Sequence, residues 1–226
     1  MKVAIALIGN IRTWNECKEN FIEIFSPLNP DIYISTYDLQ YDHHPYIKGV
    51  INDNEDAILS NEEIHQMFSD LNVKNLEIEC SKEVTGEIKL HDIFVQTGVS
   101  FSQYRKFQNT MKKIAESGID YDCIIKTRCD IIHNPISFEG IDLKTSILID
   151  SGNVFPNDCF FATNQESMKN VADFIIHELE TPSQPDSHVA PPHNLFKNAI
   201  INAGLNAYVQ KIMNHVIRKN GVKFYY

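Results

Sequence analysis

The chain has 226 residues, of which 43% are hydrophobic and 22% are charged, and these proportions favour one soluble globular domain over a disordered or membrane-spanning chain. The 30 acidic and 20 basic residues give a formal net charge of −10, which argues against general binding to nucleic acids or anionic membranes. The 5 cysteines are odd in number and form no Cys-x-x-Cys pair, so the sequence predicts a reduced, cytoplasmic protein without a structural zinc ion.

The first part of the chain has the pattern of a βαβ unit. Residues 3–8 form a continuous apolar run, which is typical of a strand buried on both faces, and no cleavage site of small residues follows it as in a signal peptide. Asp31 to Thr36 are predicted to form a second strand. A helix is predicted between these strands from apolar residues at three- and four-residue spacing, which are Trp14, Cys17, Phe21, Phe25 and Leu28.

A variable loop is predicted next, because residues 39–59 show no clear hydrophobic period. Ser60 and Glu63 then have the spacing of a capping box, in which the Ser side chain and the Glu side chain each bond the other residue's backbone N–H. This pattern predicts the start of a short helix with apolar residues Ile64, Phe68 and Leu71. Residues 75–80 are predicted to form the strand that follows this helix.

The central helix and the next strands follow. Ser100 and Gln103 have the spacing of a second capping box, and Gly118 is predicted to end the helix. One face of this helix is apolar and carries Tyr104, Phe107, Met111, Ile114 and Ala115. Strands are then predicted at residues 121–127, 146–150 and 158–163.

The last third of the chain adds two helices and one weak strand. Asn164 is predicted to cap a helix, and residues 181–192 form a Pro-rich loop. A helix at residues 193–203 and a strand at 206–210 complete the pattern. Because strands alternate with helices along the chain and no linker divides it, the sequence predicts a single α/β domain, a Rossmann-like sandwich with a mainly parallel sheet.

Ligands of open α/β sheets bind beyond the carboxyl ends of the strands, so the polar residues there are candidates for a site. The first strand is followed by the sequence GNIRTW. An anion can bind there to Gly9, Asn10 and Arg12 and to the backbone N–H groups at the start of the next helix. An exposed Arg in a loop is an equally good interpretation of this stretch. The phosphate-binding patterns G-x-G-x-x-G and G-x-x-x-x-G-K-[ST] are absent from the sequence.

The sequence KTRCD ends the strand at residues 121–127 and places two cations beside a carboxylate. Asp130 is a suitable oxygen ligand for Mg²⁺ or Mn²⁺, and Lys126 and Arg128 can offset the charge of a diphosphate. Strand alternation puts these three side chains on one face, where we expect them to converge on one ligand. The alternative is a structural ion pair at the end of a strand. Cys129 is predicted to be buried and inert.

Three segments, which together cover about half of the chain, resemble in order a group of bacterial and viral sugar transferases. LIGNIRTWNECKENFIEIF with DIYISTYD resembles the first βαβ unit of that group, which has G-[NQ]-x-R and later D-[IV]-[FY]-I-x-T-[WY]-D. SFSQYRKFQNTMKKIAESGIDYDCIIKTRCDI resembles its central helix, Tyr-Asp pair, apolar strand and R-x-D. NDCFFATNQESMKNVADF resembles its Asp-x-Phe strand and the helix that follows.

The group is similar to GT-A glycosyltransferases, whose D-x-D motif binds a metal ion and a nucleoside diphosphate. The resemblance implies a GT-A-like fold for residues 1–226, with a nucleotide-binding half at 1–134 and an acceptor-side half at 135–226. By position Arg128 replaces the first Asp of the motif and Asp130 is retained. Asp130 is therefore implied as the ligand of Mn²⁺ or Mg²⁺, while Arg128 can supply part of the charge of the metal.

Three other side chains are candidates for roles in the site, and the resemblance supports the first of them. Asp158 falls where the group has an acidic residue near the acceptor, so it is a candidate for the general base, although a turn Asp is an equally good interpretation. Gln103, at the start of the central helix, is placed to face the nucleotide or the donor sugar. His193 is a candidate contact for metal or phosphate, and a histidine at a helix start without any ligand role is its alternative.

The leading hypothesis is a glycosyltransferase of glycan biosynthesis that moves a hexosyl or deoxyhexosyl group from a nucleoside diphosphate sugar to a hydroxyl of a glycan or saccharide acceptor. The reaction is expected to be assisted by a divalent metal ion and to involve no nucleic acid. Two alternatives remain open, namely a sugar nucleotidyltransferase and a non-catalytic module that binds a nucleotide or a sugar. Turnover of the donor to a free diphosphate separates the three.

Overall fold

The structure, a computed structural model, describes residues 1–9, 11, 13–38, 59–79, 98–151, 159–180, 192–217 and 223–225. The two predicted loops fall outside these residues except at their ends, and so do the site residues Asn10, Arg12 and Asp158. Of the helices that are described, none has the length and apolar character needed to cross a membrane.

Most of the predicted elements are confirmed, with ends that differ by a few residues. The first half holds β1 (Val3–Ile8), α1 (Trp14–Phe25), a 3-10 helix (Ser26–Leu28), β2 (Asp31–Tyr37), α2 (Asn61–Met67) and β3 (Val73–Glu79). The second half holds α3 (Gly98–Glu116), β4 (Cys123–Thr127), β5 (Ile131–His133), β6 (Ser146–Asp150), β7 (Phe161–Thr163), α4 (Gln165–Glu180), α5 (Pro192–Asn202), β8 (Asn206–Gln210), β9 (Met213–Ile217) and β10 (Lys223–Tyr225).

The main sheet has seven strands in the order β3-β2-β1-β4-β7-β6-β8. The pairs β1–β2, β1–β4, β2–β3 and β6–β8 are parallel, while β7 runs antiparallel to both of its neighbours. The predicted α/β architecture with a mainly parallel sheet is therefore confirmed. The reversal at β7 leaves β4 and β6 pointing the same way, so the carboxyl ends of β1, β2, β3, β4 and β6 lie at one edge.

A second, antiparallel sheet of three strands was not predicted. It has the order β10-β9-β5, and its strand β5 begins one residue after Asp130. The pairing of β5 with β9 joins residues that lie far apart in the sequence, for example Ile131 with Val216. The motif at the end of β4 consequently lies in the turn that connects the main sheet to this second sheet.

Helices cover both faces of the main sheet, and each face has its own apolar core. On the face that we call the α1 face, Trp14 and Phe21 of α1 and Phe68 after α2 pack on odd-numbered side chains of β1 and β4. On the opposite face, called the α3 face, side chains of α3, α4 and α5 pack on even-numbered side chains of the same strands. Strands that are covered on both sides explain the continuous apolar runs in the sequence.

The predicted helix caps are confirmed in two cases and wrong in one. The side chain of Ser60 accepts from the N–H of Glu63, whose carboxylate accepts in return from the N–H of Ser60. Asn164 Oδ1 accepts from the N–H of Ser167 at the start of α4. The prediction for Ser100 is wrong because α3 begins at Gly98, which places Ser100 inside the first turn.

Candidate functional site

The carboxyl ends of β1 and β4 form the point at which the order of the strands reverses. From β1 the chain moves outward through β2 and β3, with α1 and α2 on the α1 face. It then crosses back through α3, on the opposite face, and enters β4 on the other side of β1. A crevice at such a reversal is the usual ligand site of an open α/β sheet. The residues that follow β1 and β4 are therefore the candidates.

Arg128 and Asp130, just beyond β4, form a two-pronged ion pair with each other. Arg128 Nε donates to Asp130 Oδ1 at 2.9 Å, and Arg128 Nη2 donates to Asp130 Oδ2 at 2.6 Å. The Asp130 side chain is 1% exposed and that of Arg128 is 18% exposed. A fork of two parallel charge-assisted bonds is the strongest geometry available to this pair. The guanidinium group thus lies on the solvent side of a buried carboxylate.

The turn that carries this pair is anchored at its far end by a hydrogen-bond network. Asn20 of α1 accepts from the backbone N–H of His133 at 2.7 Å and donates to its backbone carbonyl at 3.0 Å. The Nε2 atom of His133 lies 2.8 Å from Oγ1 of Thr127, the last residue of β4. Asn20 thus fastens the end of β5 to α1, and the contact between Thr127 and His133 joins the end of β4 to the end of β5, so the turn between the two strands is held at each end.

The second sheet is held against the same edge by Asp150, the last residue of β6. One oxygen of this buried carboxylate accepts from the backbone N–H groups of Ile212 and Met213 at 2.8 and 2.7 Å. Met213 begins β9, which pairs with β5. Asp150 was predicted only as part of a strand, although it is a carboxylate at the end of an apolar strand, as Asp130 is.

Lys106 of α3 is a buried cation at this edge that was not predicted as a site residue. Its side chain has no exposed surface, and its ammonium group donates to the carbonyl of Thr36 at 2.9 Å and pairs with Glu79 at 2.8 Å. The ammonium also lies 3.9 Å from the centroid of the Tyr37 ring. Burial lowers the pKa of Lys106, and Glu79 partly opposes this shift. Lys106 thereby ties the ends of β2 and β3 to α3.

The burial of Lys106 could have been predicted from its spacing on the helix. Gln103, Thr110 and Ile114 lie three or four residues from one another or from Lys106, so the four positions share one stripe of α3. Thr110 is 3% exposed and Ile114 is fully buried. The Nε2 atom of Gln103 is buried without a hydrogen-bond partner in the part of the chain that the structure describes. The predicted role of Gln103 in donor binding stays a prediction.

Lys126 does not share a face with Arg128 and Asp130, so the predicted convergence of the three side chains is wrong. The Lys126 ammonium lies 5.4 Å from the ring centroid of Phe161, which belongs to the core of the α3 face. Arg128 Nη1 donates to the sulfur of Cys159 at 3.5 Å, and Cys159 belongs to the core of the α1 face. Alternation fails here because β4 ends at Thr127 and the following residues turn. Binding of phosphate by Lys126 stays a prediction.

Gly9 ends β1 in a backbone conformation that suits glycine. Its φ angle is 117°, in a region that side chains other than hydrogen disfavour. Its N–H donates to the carbonyl of Ser35 at 3.1 Å, and its carbonyl accepts from Thr36 Oγ1 at 2.8 Å. Gly9 therefore bends the chain at the reversal point between β1 and β4. His193 lies in the first turn of α5, and its predicted contact with metal or phosphate stays a prediction.

The surroundings of the Arg128–Asp130 pair are apolar on the protein side. Burial raises the pKa of Cys17 to about 12, with a further contribution from the charge of Asp130, and it raises the pKa of Cys129 as well. Burial also lowers the pKa of His133 to about 3. Cys129 is 1% exposed, which confirms the prediction that it is buried.

Asp130 does not fit a metal-binding role in the arrangement that the structure shows. Mg²⁺ and Mn²⁺ bind oxygen ligands that face the ion, together with water and phosphate oxygens. Both oxygens of Asp130 accept from Arg128 instead, and the carboxylate is 1% exposed. Among the described residues, no group of three or more His, Cys, Asp or Glu side chains is arranged to hold an ion.

No protein-family model matches the sequence, and no curated protein matches it significantly. Solved structures with a similar fold include a glycosyltransferase involved in glycosylation of the major capsid of PBCV-1, with 8% identity and a TM-score of 0.45 over 93% of this chain and 82% of that one. The galactosyltransferase LgtC, in complex with donor and acceptor sugar analogs, has 9% identity and a TM-score of 0.46 over 92% and 73%.

A nucleoside-diphosphate-sugar pyrophosphorylase from Vibrio cholerae RC9 is similar to the same degree. It has 12% identity and a TM-score of 0.47 over 92% of this chain and 91% of that one. Identities and TM-scores of this size do not assign the chain to a family or to an activity.

Proposed function

We propose that this protein is a glycosyltransferase that uses a nucleoside diphosphate sugar and binds the diphosphate at the end of β4. The observation that carries the proposal is the position of Arg128, a partly exposed cation at the reversal point of the strand order. The resemblance of three ordered segments, including R-x-D, to a group of sugar transferases supports the same activity.

In this reaction the oxygen of an acceptor hydroxyl attacks C1 of the donor sugar, and the bond from C1 to the diphosphate oxygen breaks. The bonding electrons leave with the nucleoside diphosphate, and the hydroxyl proton passes to a base. Negative charge therefore builds up on the leaving diphosphate as the bond breaks. A guanidinium that is already oriented stabilises this charge without reorganising at the moment of reaction.

Arg128 meets this requirement because its orientation is fixed before any ligand binds. Asp130 holds two of its three nitrogen atoms, and the third donates to Cys159. The remaining roles stay predictions, namely the general base at Asp158 and anion contacts from Gly9, Asn10, Arg12 and Lys126. The resemblance in the sequence also implies assistance by Mn²⁺ or Mg²⁺, with Asp130 as the ligand and His193 as a candidate contact, and the screen below tests this by the presence and absence of Mn²⁺.

The test is a screen of UDP-, GDP- and dTDP-sugars for thermal stabilisation and for release of free nucleoside diphosphate, with and without Mn²⁺. CMP-sugars serve as a comparison, since they lack the diphosphate. We expect one nucleotide family to raise the melting temperature and to be turned over. Arg128→Ala is expected to lower kcat by about 10²–10³-fold, as for loss of one preorganised donor to a developing anion.

Lys169→Ala is the matched control, because it removes a cation from an exposed ion pair with Asp173 on α4. This variant is expected to keep the activity of the wild type. Formation of the nucleotide sugar from a sugar 1-phosphate and a nucleoside triphosphate, with release of pyrophosphate, would identify a nucleotidyltransferase instead. Donor binding without any turnover would identify a binding module.

A further inference from the structure

We propose that the donor diphosphate is bound here without a divalent metal ion, with Arg128 as the fixed positive charge and Asp130 as the residue that positions it. This inference rests on the proposed function and specifies how the same site works. In this proposal the carboxylate of Asp130 orients Arg128 and does not bind a metal ion. The geometry of the pair, its burial and the anchoring of its turn support it separately.

The geometry of the pair is the first support. The two bonds, of 2.9 and 2.6 Å, run from Nε and Nη2 of one guanidinium to the two different oxygens of one carboxylate. A metal ion on Asp130 would compete for these same oxygens, so Arg128 and the ion exclude each other in this conformation. A guanidinium matches the planar carboxylate at both oxygens, which a lysine cannot do.

The second support is that Asp130 is more deeply buried than Arg128. Asp130 is 1% exposed while Arg128 is 18% exposed, so a ligand in solvent can reach part of the guanidinium but hardly any of the carboxylate. Behind Asp130 lie the buried thiols of Cys17 and Cys129, which carry no charge. If Arg128 swung outward, the buried carboxylate would lose both of its bonds to the guanidinium, and breaking a buried ion pair in this way is unfavourable.

The anchoring of the turn is the third support. Thr127 and His133, on the two sides of the pair, are joined to each other, and Asn20 holds the backbone of His133 from α1. Asp150 fixes the start of β9, the strand that pairs with β5. Groups held in this way keep a cation in one position, as stabilisation of a leaving diphosphate requires.

The experiment compares donor turnover by the wild-type chain after removal of metal with EDTA and after addition of Mn²⁺ or Mg²⁺. Residual metal is measured by mass spectrometry and must be well below one ion per chain. We expect kcat and KM to change by less than about twofold, since one cation supplied by the protein already acts on the diphosphate. Turnover that disappears in EDTA and returns with Mn²⁺ would overturn this inference and leave the proposed function intact.

A double-variant cycle separates a positioning role of Asp130 from a metal-binding role. Asp130→Asn alone is expected to lower kcat by about tenfold, while in an Arg128→Ala background it should have almost no further effect, because there is no guanidinium left to orient. A metal ligand would lower activity in both backgrounds. Glu116→Gln, which changes an exposed carboxylate paired with Lys113, is the matched control and should be neutral.

Chemical rescue gives a readout that a purely structural role would not move. Free guanidinium at millimolar concentration is expected to restore part of the activity of Arg128→Ala, and Mn²⁺ is not. The opposite pattern, rescue by Mn²⁺ alone, would show that a metal ion can bind Asp130 once Arg128 is absent and would count against the proposal. If no donor binds or turns over with metal or without it, the proposed function itself fails, and this inference fails with it.

Discussion

Stability at acidic pH offers a direct test of the buried surroundings of the Arg128–Asp130 turn, through His133. The His133 ring is 3% exposed and makes edge contacts with aromatic rings, including Phe25 at 4.9 Å between centroids. Its Nδ1 atom has no hydrogen-bond partner in the described part of the chain. Burial lowers the pKa of His133 from 6.5 to about 3, although the charge of Asp130 partly opposes the shift.

The sign and size of the effect follow from the two pKa values. Between pH 6.5 and about 3 the unfolded chain binds a proton at His133 and the folded chain does not, so stability falls as the pH is lowered through this window. At ~1.4 kcal/mol per pH unit, lowering the pH from 7.5 to 4.5 crosses two units of the window. His133 alone should therefore reduce the free energy of unfolding by about 3 kcal/mol.

The assay is urea unfolding at a series of pH values for the wild type and for His133→Gln, which keeps a polar group near Thr127 but does not titrate. The variant is expected to be less stable than the wild type at pH 7.5. At pH 4.5 the difference in the free energy of unfolding between the two chains should have shifted in favour of the variant by about 3 kcal/mol. His65→Gln is the control, because His65 is exposed on α2. A gap that does not change with pH would show that His133 is not held neutral in the core.

Three further predictions concern the fold around the site. Lys106→Met should lower the free energy of unfolding by about 2 kcal/mol through loss of the bonds to Thr36 and Glu79, and an unchanged urea midpoint would contradict this. Ser60→Ala should lower the free energy of unfolding by about 1 kcal/mol through loss of the capping box, and an unchanged urea midpoint would contradict this as well. In a Cys80→Ser variant, a thiol reagent should label the native chain only on unfolding, because the other four cysteines, Cys17, Cys123, Cys129 and Cys159, are buried. Rapid labelling of the native chain would refute their burial.

The elements of the main sheet were predictable because their signals are local. The run at residues 3–8 and the capping box at Ser60 depend only on neighbours in sequence, and both are confirmed. Ser100 shows the limit of such a signal. The spacing of a capping box also occurs inside helices. Ser100 does not cap the helix because the residues just before it, from Gly98 onward, are already helical.

The second sheet could not be predicted because its pairing is not local. β5 has only three residues, too few for a period to be recognised, and its partner β9 lies at the other end of the chain. Neither strand has a turn of its own that would bring the two together. Asp150 and α1 both contact this sheet. The sequence marks Asp150 as a carboxylate at the end of an apolar strand, but it does not show which backbone groups that carboxylate binds.

The R-x-D motif shows why the site was only partly predictable. In a continuing strand, side chains two residues apart point to the same side and reach together toward a third partner, which was the basis for expecting Lys126, Arg128 and Asp130 to converge. β4 ends at Thr127 and β5 begins at Ile131, so the residues between them turn. In a turn, the same spacing lets the guanidinium fork close on the carboxylate itself. The sequence thus identifies the residues, but the direction of the chain after Thr127 decides whether Asp130 faces a ligand or faces Arg128. In this structure it faces Arg128, because both of its oxygens accept from that guanidinium.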